Sequence, residues 1–148
     1  MSNRSVSVSR VVPATPAEVF NVLTDASLHP VIDGSGMVQG ARGKVERLHL
    51  GSKFGMNMRL GVPYVIHNTV VEFEPDRRIA WQHFGGHRWR YELAEVEGGT
   101  EVTETFDWST SKFPLGIELA GYPKKHPANM ERTLERLEAF LTHRDTAL

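Results

Sequence analysis

In the stretch from 101 to 109, the even positions run Val102, Glu104, Phe106 and Trp108. Side chains alternate across a strand, so three large apolar residues set an inward face and carry a carboxylate in with them. A carboxyl drawn into an apolar interior loses the hydration of its charged form, and its pKa rises. Near neutral pH it can then donate or accept a proton, or anchor a hydroxyl, a carbonyl or an ordered water. Two further side chains belong with it on this reading. Tyr91 shares a face with Trp89 and Leu93, with His87 at its mouth; His67 shares one with Val65, Thr69, Val71 and Phe73. Glu104, His67 and Tyr91 are therefore the candidates for acid–base work, with Glu104 or a histidine moving the proton beside a carbonyl. Tyr91 would stabilise the resulting oxyanion. Two structural alternatives stay open: a bulge that turns Glu104 outward, or an arginine such as Arg59 that neutralises it.

Other chemistries find less support. His67, His83, His87 and Glu104 could supply nitrogen and oxygen ligands, but no tight spacing such as H-E-x-x-H occurs. Neither a metal nor an organic cofactor is expected. His49, His126 and His143 read as surface residues, and His29 as a residue at a cavity entrance. No G-x-S-x-G elbow is present, and "GSG" at 34–36 lacks the flanking elements of a dinucleotide loop. The chain has no cysteine, which excludes disulfides and thiol catalysis and fits a cytoplasmic protein. Seventeen basic and eighteen acidic residues leave a formal charge of −1, with no basic block to attract nucleic acid. The first residues, "MSNRSVSVSR", hold no apolar signal core, and no run approaches membrane-spanning length.

The elements that must position these groups are legible. At 148 residues the chain reads as a single domain over 1–148. "SVSVSRVV" (5–12) alternates as a strand does. A helix follows, with Thr15 as cap, Pro16 in the first turn and Glu18 completing a capping box. Ser27 is expected to cap a second short turn that Pro30 ends. From about 37 to 110 the chain reads as strand after strand: "GKVERLHL", "SKFGMNMRL", "YVIHNTVVEFE", "RIAWQHF", "HRWRYELAEV" and "TEVTETFDWS". Turns are expected at Gly51, Gly61–Pro63, Pro75-Asp76, Gly85-Gly86 and Gly98-Gly99, spacing that suits antiparallel hairpins. Pro127 then opens an amphipathic helix of roughly four turns, with Met130, Leu134, Leu137 and Leu141 on one face. The apolar segment before it, 111–126, has room for a short helix.

A long helix with one apolar stripe needs a partner, and the sheet is the only element large enough. The expected class is α+β: a curved antiparallel sheet of about seven strands wrapped around a long C-terminal helix, with two short helices after the first strand. Space left between sheet and helix is where a ligand would sit. Its wall is expected to include Met56 and Met58, from the face shared with Phe54 and Leu60, the alternative for these being core filling. Trp81 belongs there if the turn at Gly85-Gly86 has three residues or a bulge; a two-residue turn would expel it, and tryptophan burial favours the former. His67, His87, Trp89, Tyr91, Glu104, Phe106 and Trp108 complete the sheet's share, and Met130 and Leu134 the helix's.

This element order, the hairpin carrying Trp89, Tyr91, Leu93, Gly98-Gly99-Thr100, Val102 and Thr105-Phe106-Asp107, and the terminal helix resemble the START/Bet v 1-like helix-grip superfamily (SRPBCC). Within it the chain is most similar to the polyketide cyclase/dehydrase-like branch, over nearly its whole length. The resemblance implies a hydrophobic cavity that binds a small, largely hydrophobic molecule, aromatic or polyketide-like. The alternative it implies is a cyclase or dehydratase. In plant hormone receptors of similar fold, a glutamate in a setting like Glu104-Thr105-Phe106 contributes to the polar end of the pocket. Gly85-Gly86-His87-Arg88-Trp89 likewise resembles their gate loop. A protein-interaction module is a third reading, for which Phe113–Tyr122 is the candidate patch.

Overall fold

A computed structural model describes residues 4–33, 38–42, 47–60, 62–83, 85–119 and 121–144. Among them, seven strands form one antiparallel sheet: β1 (Ser5–Val12), β2 (Val38–Arg42), β3 (Lys53–Leu60), β4 (Val62–Glu74), β5 (Arg78–Gln82), β6 (Arg88–Val96) and β7 (Gly99–Asp107). The spatial order is β1-β7-β6-β5-β4-β3-β2. Consecutive strands from β3 to β7 are hairpin neighbours, as their short turns require; β2 pairs with β3 across the longer connection 43–52, and β1 closes on β7.

Helix α1 (Pro16–Leu23) starts as its sequence dictates: Thr15 Oγ1 accepts from Glu18 N–H at 3.2 Å, and Glu18 Oε1 accepts from Thr15 N–H at 3.1 Å. The next turn differs from expectation. Asp25, not Ser27, caps a 3-10 turn at Ala26–Leu28, accepting from Ser27 N–H at 3.0 Å. Pro30 lies in the first turn of α2 (His29–Ile32) and does not end it, because a missing N–H costs nothing there. The expected strand at 43–50 is also displaced. Residues 43–46 lie outside the described residues, Arg47 makes only an isolated bridge to Asp25, and the strand that pairs with β3 is Val38–Arg42.

Short helix α3 (Pro114–Leu119) precedes the long helix α4 (Tyr122–Arg144). Pro127 does not open α4 but lies inside it, five residues from its start. Met130, Leu134, Leu137 and Leu141 are buried against the sheet, as their spacing requires. The outer face of the sheet is polar. Arg90 forks onto Glu72 with Nε–Oε1 at 2.9 Å and Nη2–Oε2 at 2.8 Å, Arg88 reaches the same carboxylate at 2.9 Å, and Asp107 receives Arg90 at 3.3 Å. These pairs lower the Glu72 pKa and raise that of Arg90, whereas Asp107 is lowered first by the hydrogen bonds it accepts from Ser109 and then by Arg90.

Candidate functional site

Between the sheet's concave face and α4 lies a cavity of about 390 Å³. From β3, Phe54, Met56 and Met58 line it, on the parity their apolar residues set. Trp81, Trp89, Tyr91 and Glu104 line it from β5, β6 and β7. The register explains how they meet: Trp81 faces Trp89 across β5 and β6, and Tyr91 faces Glu104 across β6 and β7. Met130 contributes from α4.

Trp81 reaches the interior because of the turn that follows β5. His83 N–H donates to His87 O at 3.2 Å, and Gly86 N–H to His83 O at 3.0 Å. Three residues, 84–86, thus separate the pair; Phe84 lies outside the described residues. His83 and His87 both line the cavity, their ring centres 4.6 Å apart. Gly86 adopts φ 94°, and a Cβ there would stand 2.6 Å from Thr110 O. The turn is thereby held against the segment after β7, where Thr110 Oγ1 donates to Gly86 O and Lys112 N–H to Gly85 O at 2.9 Å.

Four residues expected in the wall are elsewhere. His67 is exposed, and Tyr64, Ile66 and Asn68 line the cavity from β4 in its place. The cause is a bulge: Val70 pairs with Trp81 but Glu72 with Ala80, leaving Val71 as the extra residue. Parity read backward from Phe73, which does pack inward against Phe20 at 5.4 Å, is inverted below the bulge. Phe106, Trp108 and Leu134 are buried but do not line the cavity. Phe106 and Trp108 stack 5.6 Å apart with Met130 in a cluster beyond it, and Leu134 fills the main core.

The sequence reading also missed wall residues. His126, expected at the surface, lines the cavity with its ring edge-on to Trp89 at 4.9 Å and to Phe106 at 4.5 Å. It escaped notice because α4 begins before Pro127, which puts His126 one turn above Met130. His29 is not at an entrance. It is buried, its Nε2 is 2.9 Å from Leu23 O, and its ring stacks on Trp81 at 4.8 Å. Ile32 and Asp33 join it from α2 and its end, and Asn129 and Thr133 from α4.

Electrostatics follow from this enclosure. Glu104 is 4% exposed, and burial pushes its carboxyl up to about 8, with the Asp33 charge adding to the rise and a hydrogen bond from Tyr91 opposing it. Tyr91 is held well above its ordinary value by burial and the same neighbour. Burial lowers His29, His83 and His87; it takes His83 to about 3, with His87 and His126 adding to the fall. Three buried polar atoms among the described residues have no hydrogen-bond partner: Glu104 Oε1, Asn68 Oδ1 and His87 Nδ1. All three belong to residues that line this cavity. Among the described residues, no group of three or more His, Asp or Glu side chains converges as a metal site, and no helix is long and apolar enough to cross a membrane.

The chain matches, over residues 3–141, the family described as polyketide cyclase / dehydrase and lipid transport. It is 38% identical over 138 residues to Uncharacterized protein Rv0088 of Mycobacterium tuberculosis, a match covering 89% of this chain. The chain spans 62% of the length of that relative. Among solved structures, protein NE0264 from Nitrosomonas europaea is similar with a TM-score of 0.75 at 16% identity, covering 96% of each chain. The AHSA1-like protein from Aeromonas hydrophila is similar with a TM-score of 0.70 at 19% identity, covering 95% of this chain and 94% of that one. At such identities the likeness is one of fold. With the helix-grip architecture and a match across nearly its whole length, the chain belongs to the polyketide cyclase/dehydrase and lipid transport family.

Proposed function

We propose that the protein binds a small, largely hydrophobic molecule, aromatic or polyketide-like in its body, in the cavity between the sheet and α4. One observation carries this reading. An apolar chamber of about 390 Å³, within the range of small-molecule sites, encloses a buried carboxyl whose Oε1 has no partner in the protein. A buried polar atom left unpaired costs about 1–3 kcal/mol, which a ligand group that bonds to it relieves. Trp81 and Trp89 supply flat apolar surface, and Met56 and Met58 adapt to the ligand's outline.

A second reading, a cyclase- or dehydratase-type enzyme, is favoured by Glu104 itself. A carboxyl at about 8, bonded to a tyrosine, is poised to give or take a proton near neutral pH. Tyr91 would then stabilise negative charge developing on a carbonyl oxygen. Native mass spectrometry of the protein purified from its own host tests the first reading, with a retained small-molecule mass as the expected result. A clean apo mass, together with failure of aromatic probes to bind, rules against it. Glu104→Gln then separates the two: an enzyme loses turnover by about a hundredfold or more, whereas a binding protein retains much of its affinity.

A further inference from the structure

The polar atoms without partners do not stand together. Register places Tyr91 and Glu104 opposite each other at one level of the sheet. Thr69, Gln82 and Arg88 are register partners at another, so Asn68, His83 and His87 follow side by side at the cavity's rim. His87 and Tyr91 are four residues apart, which at about 3.3 Å per residue sets the two levels roughly 13 Å apart. Between them lies the Trp81–Trp89 pair. One continuous cavity therefore has a carboxyl at one end, a carboxamide and imidazole at the other, and flat aromatic walls between.

Resting on the binding role above, we infer that the cavity selects a neutral, flat, elongated molecule with a hydrogen-bonding oxygen at each end, one meeting Glu104 and the other meeting Asn68 and His87. Each end has its own requirement. Asn68 is 3% exposed and its Oδ1 accepts only, so the rim end of the ligand must donate, as a hydroxyl does. With its proton given to Asn68 Oδ1, the same hydroxyl accepts from His87 Nδ1–H in the tautomer that carries the proton there. At the deep end Glu104 already takes the Tyr91 bond, and its protonated form offers a donor to a carbonyl or hydroxyl oxygen. Less one hydrogen bond of about 2.8 Å at each end, the span leaves roughly 7–8 Å between the ligand's oxygens, a body of about two to three linearly fused rings.

Charge sets the remaining condition. Among the described residues the lining includes no Lys or Arg, while Asp33 and Glu104 both face it. Burial keeps His29, His83 and His87 from gaining a proton. Among the described residues no Lys or Arg lines the cavity to offset the charge of an anionic ligand, whose burial there is disfavoured.

Four probes decide the matter by isothermal titration calorimetry at pH 7: anthracene, 2-hydroxyanthracene, 2,6-dihydroxyanthracene and anthracene-2-carboxylate. The diol is expected to bind about tenfold more tightly than the mono-ol, and the carboxylate at least tenfold more weakly than the mono-ol. Asn68→Leu and Glu104→Leu should each cut the diol's advantage over the mono-ol to under threefold. A diol advantage under threefold in the wild-type protein overturns the two-ended site, and a carboxylate that matches the mono-ol overturns selection for neutral ligands. Both results leave the binding role intact. Failure of all four probes removes the binding role itself, and this inference with it.

Discussion

Tyr91 on β6 and Glu104 on β7 stand directly opposite each other, and their side chains share a hydrogen bond inside the concave face of the sheet. Opposed residues hold their Cβ atoms about 5 Å apart, so the pairing is imposed by strand register and survives side-chain motion. Ile79 lies beyond Tyr91 and Val8 beyond Glu104, so the pair is flanked by apolar residues along its row. A hydroxyl and a carboxyl are thus enclosed together, and the carboxyl keeps one oxygen for whatever enters the cavity.

The raised Glu104 pKa has a direct consequence for stability. The folded state holds this proton up to about pH 8, whereas the unfolded chain releases it near 4.5. Between these values the native state binds more protons, so this group's contribution is fully present below about 4.5 and declines as pH rises through about 8. The total is on the order of 5 kcal/mol. Urea unfolding followed by tryptophan fluorescence at pH 6.5 and 8.5 should show a clear alkaline loss in the wild-type protein. In Glu104→Gln that loss should nearly vanish; an unchanged slope would mean that Glu104 is ionised throughout.

The histidines act in the opposite sense. His83, lowered to about 3, is neutral in the folded protein yet gains a proton near 6.5 when unfolded. Stability is therefore lost as pH falls below about 6.5, by up to about 2 kcal/mol between 6.5 and 5. Burial lowers His29 and His87 in the same direction. The acid limb of the stability curve should flatten in His83→Leu, checked by thermal unfolding at pH 5, 6 and 7. The two opposing slopes place the stability maximum near pH 6.5.

Gly86→Ala should cost about 1–3 kcal/mol, because it places a Cβ at a left-handed φ and 2.6 Å from Thr110 O. The turn that holds His83 and His87 at the rim would shift with it. Loss of anthracene-diol affinity along with the lower urea midpoint is the expected pair of results. Wild-type values for both would show that the turn is freer than its backbone contacts imply.

His67 and Asn68 are adjacent but should respond differently. His67→Ala changes an exposed side chain and should alter stability by less than about 0.5 kcal/mol, with probe affinity unchanged. Asn68→Ala empties a buried wall position and should cost about 1–3 kcal/mol. Equal effects in denaturation and titration would indicate that β4 has no bulge at Val71.

Local rules, acting within a few residues, are what the sequence determined by itself. The capping box at Thr15 and Glu18, the turns at Gly51, Pro75-Asp76 and Gly98, the inward parity of β3, β6 and β7, and the Met130–Leu141 stripe all follow from periodicity and turn chemistry, whereas Val62 and Pro63, expected in a turn, lie in β4. Glu104 stood out for the same reason, being one carboxylate within an apolar alternation. Tertiary structure decided whatever depended on one extra residue or on distant packing. The bulge at Val71 exchanged His67 for Asn68, since a single inserted residue inverts every side chain beyond it. An earlier start to α4 brought His126 inward, and the packing of α2 on β5 stacked His29 on Trp81. Phe106 and Trp108 obey their strand parity yet miss the cavity, because α4 meets that part of the sheet through Met130 and leaves no space there. Alternation settles which face a side chain takes; only the closure of helix on sheet settles whether that face meets core or cavity.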